Sequence, residues 1–207
     1  MAIIVLHYLD SSSYDSIQYI YDNFSTSQVQ ACDVGPDAIT PEYSYLKGDM
    51  AVAYGGKAKE AKRSFVALNF EDDTYPGALI VYDRVSTDDA TTKKWLLHSE
   101  EEPTIDGNII KVEASKQRIS THDGLLVETL LYPALQDATI ELIGGAGKEF
   151  MVDGVNWPLS TKNQEADIIN YEAGRWRVEI SNSQKSTISH FLNAQCTTRA
   201  QAMARPS

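Results

Sequence analysis

The alternation of apolar and polar positions is the dominant pattern along this chain, and its two-residue period is that of half-buried strands. It is cleanest at Arg175-Trp176-Arg177-Val178-Glu179-Ile180, where Trp, Val and Ile share one face and the charged residues share the other. The same period predicts strands over 64–70, 78–85, 94–99, 109–114, 125–131, 139–143, 149–153 and 187–193. Three Asp-Gly pairs, Asp106-Gly107, Asp123-Gly124 and Asp153-Gly154, punctuate these runs, and Asp-Gly suits the two positive φ values of a type I′ turn. Short connections favour antiparallel pairing, so the expected fold class is all-β, a sandwich or barrel and not a βαβ arrangement. One short N-terminal helix is predicted over 14–24, where Ile17, Ile20, Tyr21 and Phe24 recur at helical spacing behind the capping serines Ser11 to Ser13. Residues 57–63 favour a helix by propensity but run straight into the strand pattern at 64–70, so one long strand is expected there. Loops are expected at 33–42, 72–77, 86–92 and 160–167. None has the length or composition of an interdomain linker, so residues 1–207 are read as one domain with divergent or poorly ordered ends at 1–40 and 195–207.

Composition narrows the classes of partner. With 207 residues and 43% hydrophobic content the chain can fill a sizeable core. A formal net charge of −11 argues against generic binding to nucleic acid or to an anionic membrane surface. No apolar run approaches the roughly 18 residues of a membrane span, and the first residues lack the basic start of a signal peptide, with Asp10 interrupting the apolar stretch. Cys32 and Cys196 lie far apart; a bridge between them and two unpaired thiols are both open, with thiols favoured.

Candidate chemistry is sparse. Gly144-Gly145-Ala146-Gly147 is followed by a strand pattern and not by the helix a phosphate loop requires, so a glycine-rich hairpin or bulge is expected. His7, His98, His122 and His190 show no zinc-site spacing, no cofactor is called for, and no Gly-x-Ser-x-Gly elbow is present. His98 stands out because it ends a strand just before Glu100-Glu101-Glu102, whose charges are expected to raise its pKa. If 57–63 is a strand, Lys57, Lys59 and Arg63 share one face and Lys62 the other. Such a face suits a sulfate or carboxylate, against the plainer reading of a solubilising strand edge. Of the tryptophans, Trp95 and Trp176 are expected in the core. Trp157, beside Pro158 in a turn, is expected to be exposed and able to stack on a sugar ring.

Several segments, read in order, resemble the β-rich region of the heparinase II/III-like polysaccharide lyases. They are Tyr43-Ser-Tyr-Leu-Lys-Gly-Asp-Met-Ala-Val-Ala-Tyr54, Lys62-Arg-Ser-Phe-Val-Ala-Leu68, Leu79-Ile-Val-Tyr-Asp-Arg-Val85 and Lys94-Trp-Leu-Leu-His-Ser99, followed by Gly144-Gly-Ala-Gly-Lys-Glu-Phe150, Ala173-Gly-Arg-Trp-Arg-Val-Glu-Ile180 and His190-Phe-Leu-Asn-Ala194. The resemblance covers about residues 43–194. It implies a large two-layer antiparallel sandwich, supersandwich-like, which in the family packs against a helical toroid with an acidic polysaccharide such as a glycosaminoglycan between them. The family is typically periplasmic or secreted.

Family members are eliminases that offset a uronate carboxylate, remove the C5 proton and protonate the leaving oxygen, typically with Tyr and His. The toroid and the histidine-rich metal-holding part of the family sandwich have no counterpart in these residues, and no family catalytic residue maps onto them. Three readings follow. One is the sandwich portion of such a lyase, inactive alone. The second is a non-catalytic carbohydrate-binding or assembly module, and the third is a compact lyase using His98 with Tyr43 or Tyr45. A sandwich face left without its toroid is also expected to favour homo-oligomers.

Overall fold

The computed structural model describes residues 27–114, 124–157 and 175–199. The expected helix over 14–24, the Asp123-Gly124 turn, the loop at 160–167, His7 and His122 lie outside the described residues. In chain order the strands are β1 (Gln28–Gly35), β2 (Tyr43–Asp49), β3 (Glu60–Asn69), β4 (Gly77–Thr91), β5 (Lys94–Ser99), β6 (Thr104–Asp106), β7 (Ile109–Glu113), β8 (Gly124–Tyr132), β9 (Ala138–Gly144), β10 (Met151–Val152), β11 (Val155–Asn156), β12 (Trp176–Asn182) and β13 (Ser186–Arg199). An eight-stranded sheet has the order β1-β2-β3-β4-β13-β8-β7-β6, a three-stranded sheet the order β5-β12-β9, and β10 and β11 form a separate two-stranded ladder. Every pairing is antiparallel. The fold is the expected all-β, two-layer sandwich.

The core lies between the two main sheets. Trp95 and Leu97 of β5 and Val178 and Ile180 of β12 meet Ile110, Leu130 and Phe191 of the large sheet, with Leu126, Ala138 and Ile140 at the margin. The two-residue period explains this, since Trp176, Val178 and Ile180 point inward and Arg177 and Glu179 outward. Each fully buried apolar side chain of this cluster contributes about 1.5–3 kcal/mol over leaving it in water. The last strand, β13, runs through the middle of the large sheet between β4 and β8, so the sheet is complete only when the end of the described chain is in place.

Several expectations are corrected by pairing. The expected loop over 86–92 is instead the second half of β4, because Thr91 pairs with Ser186 across a bulge. Long-range pairing overrides the turn-forming composition of Ser86-Thr87-Asp88-Asp89. β3 begins only at Glu60, so Lys57 and Lys59 precede the strand and the three-cation face does not form. The strand expected over 149–153 shrinks to Met151–Val152.

Asp153 and Gly154, at φ 49° and 81°, make the expected I′ turn between β10 and β11. At Asp106-Gly107 the ladder closes one residue earlier, with Asp106 opposite Ile109. Gly107, at φ 59°, is then the first central residue, and the positive-φ pattern is that of type II′. Strands β1, β2, β6 and β11 carried no clear alternation. Both cysteines are free thiols.

Candidate functional site

The Gly144-Gly145 end of β9 shapes one end of the small sheet. At Gly144, φ is 152° and a Cβ would lie 2.4 Å from the Arg175 carbonyl oxygen; at Gly145 a Cβ would lie 2.9 Å from the Trp176 ring. Only glycine lets Trp176 close over this turn. From there the chain continues to the β10–β11 hairpin, and Arg177 ties the hairpin to the sheet by donating from Nη2 to the Met151 carbonyl at 2.7 Å.

A cleft of about 1300 Å³ opens past the β5 edge of the small sheet. One wall is the inner surface of the large sheet and its approach, with Tyr54, Asp83 and Phe191. The other is the outward face of the small sheet, with Leu96, His98, Arg177 and Glu179, and the hairpin with Trp157. The antiparallel register sets that second wall, because Arg177 stands opposite His98 and Glu179 opposite Leu96.

Glu179 is its electrostatic centre. It accepts from Lys94 Nζ at 2.5 Å and from Arg177 Nε at 2.7 Å. Burial alone would push its carboxyl up, but Lys94 and Arg177 together outweigh this and hold it below the usual range. The same contact raises Lys94.

His98 behaves differently from expectation. Its pKa is lowered, first by burial and then by the Arg177 guanidinium, with Glu179 opposing. The neighbour that counts is the cross-strand cation and not the glutamate run after the strand. The imidazole is therefore neutral at physiological pH, and its Nε2 is buried without a hydrogen-bond partner. Across the cleft, burial pushes the Tyr54 phenol up to about 12, further than the Arg63 guanidinium pulls it down, so it stays a neutral donor. Asp83 forms a two-pronged ion pair with Arg63, at 2.6 and 2.8 Å, and burial nonetheless raises its carboxyl against that pull.

Of the residues singled out by sequence, Lys57, His98 and Trp157 line the cleft. Trp157 is 60% exposed, while Trp95 is fully buried and Trp176 half-buried. Lys59 is instead paired with Asp88, and Arg63 is buried against Asp83 with its guanidinium 5.7 Å from the Phe65 ring centre. Tyr43 and Tyr45 stand opposite Leu68 and Val66, on the face of the large sheet turned away from the small one. The structure therefore does not bring either tyrosine to His98. Tyr43 donates to Asp33 at 2.9 Å, which raises its pKa.

Tyr54 entered the sequence reading only as one of several aromatics able to stack on a sugar ring, and Asp83, Lys94, Arg177 and Glu179 escaped it. The alternation in 94–99 and 175–180 placed the last three on a polar face, but nothing in the sequence paired those two strands. Four cations, Lys57, Lys93, Lys94 and Arg177, line the cleft with six carboxylates, Asp83, Asp88, Asp89, Glu149, Asp153 and Glu179. A polyanion therefore gains nothing from the net charge of the lining. Among the described residues no group of three or more His, Cys, Asp or Glu is placed to hold a metal ion.

No family model and no curated protein matches the chain. Among solved structures, heparan sulfate lyase HepC from Pedobacter heparinus aligns with 84% of this chain at TM-score 0.52 and 14% identity. The chain has the fold of part of a heparan sulfate lyase. A mutant of HepC gives the same TM-score and coverage at 13% identity. In both, the aligned region is 22% of the lyase, so this chain spans about a fifth of its length. The family resemblance seen in the sequence thus holds at the level of the fold.

Proposed function

We propose that this chain is a β-sandwich unit related to polysaccharide lyases that holds a stretch of saccharide in the cleft beside β5 and does not by itself carry out elimination. The observation that carries this reading is the fold shared with the heparan sulfate lyase over 84% of the chain. The lining supports it. An indole at the mouth and a neutral phenol are a stacking surface and a hydrogen-bonding group suited to sugars. Elimination needs a charge-offsetting group and a base held together at the reacting carbon. In the cleft Arg177 and Lys94 are already engaged by Glu179, and neither Tyr43 nor Tyr45 reaches His98. The partner class supported by the fold is an acidic polysaccharide.

The test has two arms. Oligosaccharides titrated against the chain, with amide shifts followed by NMR, are expected to perturb Trp157 and His98, and Trp157→Ala is expected to weaken binding about tenfold, the loss of one stacked ring. Incubation with uronate-containing polysaccharides is expected to give no rise in ultraviolet absorbance from unsaturated product; clear turnover would refute the inactive reading. A second reading, a carbohydrate-binding module for neutral sugars, is favoured by the acidic balance of the lining. Tighter binding of neutral than of acidic oligosaccharides would establish it over the first.

A further inference from the structure

The outer face of the large sheet carries three aromatic rings in contact. Register places them there. Asp83 and Phe191 line the cleft on the inner side, so their chain neighbours Tyr82 of β4 and His190 of β13 point the opposite way. Tyr132 of β8 stands across from Leu192, on the same outer side. The Tyr82 and His190 rings are stacked, with centres 5.9 Å apart and planes 23° from parallel. The Tyr82 hydroxyl and His190 Nδ1 share a hydrogen bond of 2.7 Å. Tyr132 meets the imidazole edge to face, at 6.4 Å between ring centres and 81° between planes. Tyr82 is 39% exposed and Tyr132 49%. The chain that leaves β8 and enters β13 beside these rings, residues 133–137 and 183–185, is described and leaves them exposed.

Charge on this face has the sign that the cleft lacks. Arg84 stands across from His190, and Lys62 across from Arg84. Both donate to the same carboxylate, Glu60, Lys62 at 2.7 Å. Among the described residues of β2, β3 and β4 as far as Ser86, the outward positions hold Lys47, Lys62 and Arg84 against Asp49 and Glu60. The patch therefore has an excess of positive charge, whereas carboxylates outnumber cations in the cleft lining.

We propose that this face is a second saccharide site, separate from the cleft. It stacks a sugar ring on Tyr82 and Tyr132 and sets an anionic substituent of that sugar, a carboxylate or sulfate, towards Arg84 and Lys62. The proposal rests on the reading of the chain as a saccharide-holding unit. An aromatic ring with a polar tip matches a pyranose, which presents C–H groups on its face and hydroxyls at its rim. The Tyr82–His190 hydrogen bond fixes both rings before a ligand arrives, so little rotamer freedom remains to be lost on binding. A guanidinium has five N–H donors, so Arg84 can hold Glu60 and still donate to a second anion. Because the rings and the cleft lie on opposite sides of the same sheet, one sugar cannot occupy both.

NMR titration of the full chain with two probes of equal length, a uronate-containing tetrasaccharide and a neutral cello-tetrasaccharide, tests this. Tyr82, Tyr132 and His190 report the outer face and Trp157 reports the cleft. The acidic probe is expected to shift the outer-face signals at lower concentration than the neutral one, with a preference that shrinks as salt is raised. Tyr132→Ala is expected to weaken that response about tenfold, the loss of one stacked ring, while the Trp157 response and the circular dichroism spectrum stay unchanged. Arg84→Gln is expected to bring the acidic probe to the affinity of the neutral one. Shifts at Trp157 with none at the outer face overturn this site and leave the cleft reading standing. Shifts at the outer face alone support this site and overturn the cleft, and silence at both overturns both. An outer-face response that survives Tyr132→Ala, or equal affinity for the two probes, also overturns the proposal.

Discussion

Glu128 shows how far one residue can depart from what its neighbours in sequence suggest. It is fully buried on the inner face of the large sheet, between Ile110 of β7 and Gln195 of β13 in the pairing. Burial pushes its carboxyl up to about 8, against a weaker pull from the Gln195 side chain. The nearby Asn193 amide is likewise fully buried with both polar atoms unpaired. The consequence for stability has a definite sign. The folded state holds the Glu128 proton more tightly than the unfolded chain, so its contribution is intact below about pH 4.5 and is lost as pH rises towards 8. The full shift corresponds to on the order of 5 kcal/mol. Glu128→Gln is expected to remove most of that decline in urea unfolding compared at about pH 5 and pH 8. An unchanged pH slope in the variant would place the dependence on other groups. In the sequence Glu128 sits inside Leu125-Leu126-Val127-Glu128-Thr129-Leu130-Leu131, where apolar residues fall on both faces and the alternation cannot say which way the carboxylate points.

At the scale of elements, the closing turn of β9 and the strand β12 depend on each other. Gly144 combines a backbone conformation that other residues reach only with strain and a Cβ position blocked by Arg175 and Trp176 backbone atoms. Gly147 shares only the first constraint, since nothing lies within 4 Å of its Cβ position. Gly147→Ala is expected to cost about 1 kcal/mol, and Gly144→Ala more than about 3 kcal/mol, because the clash adds to the strain. Equal losses of unfolding free energy in the two variants would contradict this account of the turn. The sequence showed that a glycine-rich reversal was here. It could not show that Trp176 lies against it, because the two are about thirty residues apart and meet only through the β9–β12 pairing. The cleft has the same origin: Lys94, His98, Arg177 and Glu179 form one surface because β5 and β12 are paired in one register.

For the whole molecule, strand order decides where the sandwich is firm and where it is open. β12 lies between β5 and β9 and β13 between β4 and β8, so both are paired on both sides, whereas β10 and β11 share a two-residue ladder. Hydrogen exchange is expected to be slowest in β12 and β13 and fastest in the β10–β11 hairpin, and the reverse order would be incompatible with this topology. Arg177 fastens that hairpin to the small sheet through the Met151 carbonyl. The sequence by itself determined the all-β class, the inward set Trp176-Val178-Ile180, the exposed Trp157 and the likeness to the lyase fold. The first three rest on local periodicity and turn chemistry, which act between residues near one another in the chain, and the last on an ordered set of short segments that resemble the family. Tertiary structure alone decided that 86–91 is strand, that Arg63 is locked to Asp83, that His98 is held neutral by burial and by Arg177, and that no described strand pairs with the outer side of β1. Those outcomes depend on pairing and burial between residues tens of positions apart, and burial and cross-strand charge set protonation and exposure more strongly than local composition does.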